Sequence, residues 1–119
     1  MGSLKNHKQL YQNFKKDAEN KELSKQSRVE LYFLSIYHLI EACAAKFEVH
    51  INKHQKIRNL LELNEKIFEH ETETVWRAFQ TIETRIRPKF SYGFSWSEDD
   101  FKELITLYKK IENICLKVI

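Results

Sequence analysis

The chain has 119 residues, room for a single domain over residues 1–119 with roughly two thirds of its extended surface buried on folding. Hydrophobic residues make up 42% and charged residues 31%, an ordinary globular balance that excludes a low-complexity chain and needs no disulfide staple. Net charge is +3, but residues 1–28 hold seven Lys/Arg against Asp17, Glu19 and Glu22, so the excess sits at the N-terminal end.

Only two glycines and one proline occur. So few chain breakers predict an all-α fold with short connections. Met1, Gly2 and Ser3 are compatible with a cloning remnant, which leaves Gly93 as the one glycine inside the chain. No apolar run reaches transmembrane length and the N-terminus lacks a signal-peptide core. The expectation is a cytoplasmic protein with no membrane partner.

A first helix is predicted over about 4–20, with Leu4, Tyr11, Phe14 and Ala18 on a narrow stripe at the bundle edge. The second is centred on 29–47. Val29, Tyr32, Phe33, Ile36, Tyr37, Ile40, Cys43, Ala44 and Phe47 keep helical spacing without a miss. Its opposite face carries Leu31, Leu34, His38, Ala42 and Ala45 and is also largely apolar. A helix apolar on both sides is buried on both sides. Either other helices cover the second side or another copy of the chain does, so Leu31, Leu34 and Ala42 become candidate dimer contacts.

Asn52 is suited to cap a short third helix carrying Ile57, Leu60 and Leu61. A fourth helix begins between residues 64 and 72 and carries Phe68, Val75, Phe79, Ile82 and Ile86, with Trp76 off that stripe and free for an interface. Pro88 is expected to end it, leaving 88–96 as a loop. Ser97, followed by Glu98, Asp99 and Asp100, starts a last helix, since acids favour the positive end of the helix dipole. About five helices with short links predict an antiparallel bundle. Cys43 and Cys115 fall on apolar stripes and read as buried free thiols of a reduced compartment.

Three polar groupings are candidates for chemistry. His38 with Glu41, and His50 with His54, have spacings that allow a shared helix face, but neither matches a paired Glu-x-x-His or a zinc motif, so no metal is assigned. No cofactor motif is present. His38 alone has no Ser or Cys nucleophile tied to it by spacing. Arg85, Arg87 and Lys89 precede Phe90, Tyr92, Phe94 and Trp96. That mixture suits phosphate neutralisation and stacking on unpaired bases.

The run Tyr37, His38, Leu39, Ile40, Glu41, Ala42, then Val49, His50, His54 and Arg58, resembles the second and third helices of HEPN domains (higher eukaryotes and prokaryotes nucleotide-binding). Arg85, Ile86, Arg87, then Ser91, Tyr92, Gly93 and an acidic helix start, resemble the end of the same domain. The resemblance covers about residues 28–118. It implies an up-and-down bundle, a homodimer, and a nucleotide, an RNA or a minimal nucleotidyltransferase as partner, as in toxin–antitoxin pairs. Family RNases use an arginine followed after about four to six residues by a histidine. None of Arg28, Arg58, Arg77, Arg85 and Arg87 fits; Arg28 to His38 leaves nine residues between. The expectation is a binding module whose dimer cleft is lined by His38, Glu41, Arg85, Arg87 and Tyr92. The alternatives are an RNase using His38 as acid or base with Arg85 or Arg87, and a purely structural interaction protein.

Overall fold

Ser3 and Ser24 start the first two helices in the same way. Each hydroxyl accepts a backbone N–H three residues on, from Asn6 and from Ser27, at 3.1 Å. This satisfies a donor that the first turn leaves free. The computed structural model describes residues 3–93 and 95–119. Helix α1 is Leu4–Ala18 and α2 is Lys25–Lys46.

Helix α2 ends in a Schellman turn: Val49 N–H reaches back to Ala44 C=O and Glu48 N–H to Ala45 C=O. That turn places Glu48 in the left-handed region, φ 62°, where glycine is the usual residue. Asn52 caps no helix. Instead a 3₁₀ turn, His54–Lys56, leads into α3, Ile57–Leu63, and neither start has a side-chain cap.

Residues 72–91 form one continuous helical rod, contrary to the expectation that Pro88 ends the helix. Helix α4, Thr72–Thr81, runs into a π-helical turn, Ile82–Ile86, and then α5, Arg87–Ser91, with Pro88 in its first turn. In the wide turn Arg87 N–H bonds to Ile82 C=O, five residues back. The extra residue moves the preceding carbonyls away from the proline ring and spares the position that lacks an N–H. Residues 88–91 are therefore helical, not loop. Gly93 comes two residues later, where a Cβ would lie 3.1 Å from Lys89 C=O. Helix α6, Glu98–Val118, opens with the expected Ser97 cap, closed into a capping box by Asp100.

Cross-helix bonds give the directions. Arg28 bonds to Ala18 C=O and Ser35 to Tyr11 C=O, while His38 meets His7, so α1 runs antiparallel to α2. Lys25 pairs with Glu98, Ser35 with Tyr108, and Cys43 with the Cys115 carbonyl, so α6 runs parallel to α2. Lys89–Asp100 and Arg85–Glu103 set the 72–91 rod antiparallel to α6. The result is an all-α, up-and-down bundle with α3 as a short bridge.

Both faces of α2 are covered within one chain. Phe33, Ile36, Leu39, Ile40, Ala42, Cys43 and Ala44 are at most 1% exposed. Helix α1 covers the side that was available to a second copy. Ala42 is fully enclosed, and Trp76 is 5% exposed beneath the guanidinium groups of Arg58 and Arg77, 4.0 and 5.1 Å from its ring. Neither offers contact surface to a partner. Leu31 and Leu34 are partly buried against the same core. Cys43 and Cys115 are buried free thiols, and burial raises the Cys115 pKa, which keeps it protonated and unreactive.

Glu48 sits in a backbone region that disfavours side chains, at an exposed position. Glu48→Gly is expected to raise unfolding free energy by roughly 0.5–1 kcal/mol, net of the unfolded chain's added entropy. Urea denaturation checks it; a destabilised variant contradicts the helix-end geometry.

Candidate functional site

His38 and Glu41 stand three residues apart on α2, which puts them on one face. Helix α1 lies over that face and brings His7, one turn after Leu4 and one before Tyr11 on the α1 stripe. His7 Nδ1 is 3.1 Å from His38 Nδ1 and 3.4 Å from Glu41 Oε1, and His38 Nδ1 is 2.9 Å from Glu41 Oε1. The three side chains are 13%, 18% and 8% exposed. The Phe14 ring lies nearly parallel to that of His38, at 8°, while His7 approaches it edge to edge, 24° out of its plane. Among the described residues, Glu41 Oε1 is the buried side-chain oxygen with no hydrogen-bond partner. A buried carboxylate oxygen in that state is costly, by about 1–3 kcal/mol or more.

Burial lowers the His7 pKa below its ordinary value; Glu41 opposes the shift, while His38 and the nearby His50 add to it. Burial beside Glu41 raises the Tyr37 pKa, and its hydroxyl donates to Ile51 C=O. His50 and His54 do not form a pair. His50 is exposed on the turn after α2, while His54 hydrogen-bonds Glu83 on the 72–91 rod.

The arginines assigned to the same cleft lie elsewhere. Arg85 pairs with Glu103 on α6. Arg87 forks onto Glu30 of α2, with Nε and Nη2 at 2.7 and 3.1 Å, and its guanidinium lies 4.3 Å from the Phe33 ring. Two residues apart in a helix face nearly opposite ways, so within one chain they line different surfaces. Glu30 and His38 are eight residues apart on α2, roughly 12 Å along its axis. The five residues therefore divide into three places: His38 with Glu41, Arg87 with Tyr92 near the start of α2, and Arg85 on the α6 side. Within one chain His38 meets neither Arg85 nor Arg87.

Near Arg87 lies an open groove of about 530 Å³, lined by Gln26, Ser27, Glu30, Phe90, Ser91, Tyr92 and Gly93. Ser91 Oγ donates to Glu30 Oε1 at 3.1 Å. Tyr92 is 86% exposed, although it is a large aromatic residue. Ser91, Tyr92 and Gly93 were visible in the sequence as a group; their neighbours Gln26, Ser27 and Glu30 were not, because nothing local marks them. Phe94, grouped with these aromatics in the sequence, lies outside the described residues. Trp96 stacks on Phe90 at 4.9 Å and belongs to the core edge. Among the described residues, no helix is long and apolar enough to cross a membrane. Comparison with family models, with curated proteins and with solved structures gives no match, so the functional reading rests on this geometry.

The His7 shift carries a sign for stability. Its folded-state pKa is depressed, so just below the unfolded value of 6.5 the unfolded chain binds more protons. Stability should fall as pH drops through that range and level off below the folded-state value. Urea titrations in chelator, at about pH 7.5 and about pH 5.5, should show this loss, and His7→Asn should reduce it. An equal loss in the variant would place the proton uptake elsewhere.

Proposed function

We propose that the chain is a binding module for nucleotides or single-stranded RNA, with the base held in the groove between the start of α2 and the end of α5. The observation that carries this reading is Tyr92, presented at 86% exposure on the lip of a groove lined with hydrogen-bonding side chains. Aromatic faces kept in water beside polar groups are what a stacked base requires. Gln26 offers both amide donors and an acceptor to a base edge, and Ser27 adds a hydroxyl. Glu30 is fixed by Arg87 and Ser91 and faces the groove, where its carboxylate accepts from a base amine or a ribose hydroxyl.

This reading moves the ligand set toward Gln26, Ser27, Glu30, Ser91 and Tyr92. His38, Glu41 and Arg85 drop out of it. Arg87 acts as a positioning residue for Glu30 rather than as a free phosphate clamp. Two of its five N–H donors engage the carboxylate. Among the described residues, those lining the groove carry no cation of their own, so the base and sugar, not charge, are the main recognition elements. Binding should therefore depend only weakly on salt.

The test is thermal denaturation with each of the four common ribonucleoside monophosphates and with short single-stranded RNA. A ligand that favours the folded chain raises its melting temperature. At least one should do so, and Tyr92→Ala should weaken it by the loss of about 1–3 kcal/mol of stacking, roughly 5- to 150-fold in Kd. No shift with any of them, or unchanged affinity in the variant, removes the reading.

A further inference from the structure

The His7, His38 and Glu41 centre lies away from the groove and plays no part in base recognition. Three electron-pair-bearing atoms, two imidazole nitrogens and one carboxylate oxygen, converge there at separations of 2.9, 3.1 and 3.4 Å. Protons alone satisfy this arrangement poorly. Two facing imidazoles share one hydrogen between their Nδ1 atoms, and Glu41 Oε1 is left without a hydrogen bond despite its burial.

A cation resolves the arrangement. Ligand atoms in a tetrahedral site with bonds near 2.0–2.1 Å stand roughly 3.3–3.4 Å from one another, and less where the angles close. An ion about 1 Å off the plane of the three atoms would meet all of them at ordinary bond lengths. The donor set selects its class. Imidazole with carboxylate suits zinc and its first-row neighbours, whereas calcium and magnesium take oxygen ligands. We propose that His7 Nδ1, His38 Nδ1 and Glu41 Oε1 form a binding site for a divalent first-row transition ion of the zinc class.

The support around the site is built for it. The Phe14 ring lies nearly parallel to that of His38, with 5.7 Å between centroids, and His7 meets His38 edge to edge through the two Nδ1 atoms. Glu41 is 8% exposed and aimed at both histidines. The site lies across two helices, so the ion would fasten α1 to α2. Three protein ligands leave the fourth position for water or an outside group.

The test uses the full chain stripped with chelator and then titrated with Zn²⁺ by calorimetry, with Co²⁺ as an optical probe and melting temperature as a second readout. Expected are one ion per chain, a higher melting temperature, and tetrahedral Co²⁺ absorption. His7→Ala and Glu41→Gln should each weaken Zn²⁺ binding by at least about tenfold, with helical circular dichroism retained. His70→Ala, which changes an exposed histidine, should leave it unchanged. No uptake of Zn²⁺ or Co²⁺ overturns the proposal, as does affinity unchanged in either ligand variant. If His7→Ala does not fold, imidazole ¹⁵N spectra of the intact chain decide the matter. Zn²⁺ must then move the Nδ1 signals of both His7 and His38; changes confined to His50, His54 or His70 overturn the assignment.

Discussion

The structure depends on the two-sided burial of α2. Its core residues Phe33, Ile36, Leu39, Ile40 and Cys43 are closed off on one side by α6 and the 72–91 rod. On the other side α1 is fastened by Ser35 to the Tyr11 carbonyl and by Arg28 to the Ala18 carbonyl. Each fully buried large apolar side chain contributes about 1.5–3 kcal/mol relative to exposure. A helix with this many enclosed residues has no stable alternative in water. Helix α1 is amphipathic and brings few apolar residues of its own, so α2 supplies much of the reason for it to dock. The docked α1 then determines what stands opposite His38 and Glu41.

Much of the bundle was legible from spacing alone. The stripe over 29–47 located the central helix, and Ser97 with its acids located the start of the last one. Pro88 misled because a proline disfavours the preceding helical turn, yet the π turn over 82–86 absorbs the missing donor. Local rules do not encode a wider turn elsewhere in the rod. The same event explains Arg85 and Arg87: once the chain is helical through both, they must point to different neighbours. Asn52 misled differently, since the Schellman turn at Glu48 and the 3₁₀ turn at His54 consume the residues an Asn52 cap would need.

The candidate sites were half legible. His38 and Glu41 share a helix face, and that was readable three residues apart. His7 was not, although it falls on the same stripe as Leu4, Tyr11 and Phe14. Its partner lies 31 residues away, and the pairing follows only from the antiparallel docking of α1. Tyr92 was readable as an aromatic in a polar run. Gln26, Ser27 and Glu30 join it because α5 ends beside the start of α2, a tertiary fact. The two sites then occupy different stretches of one helix: Glu30 belongs to the groove and His38 to the imidazole centre, roughly 12 Å further along. A single rigid element positions both, which suits groups that must hold fixed geometry.

The central claim is that α1 packs on α2 of its own chain with His7 against Glu41, and a double-mutant cycle tests it most directly. His7→Ala, Glu41→Ala and the double variant would be unfolded in urea with chelator present. Groups in contact at 3.4 Å should couple by about 0.5 kcal/mol or more. Coupling of that size is the result this account requires. Additive single effects would contradict it, since residues that do not meet in the folded chain have nothing to share.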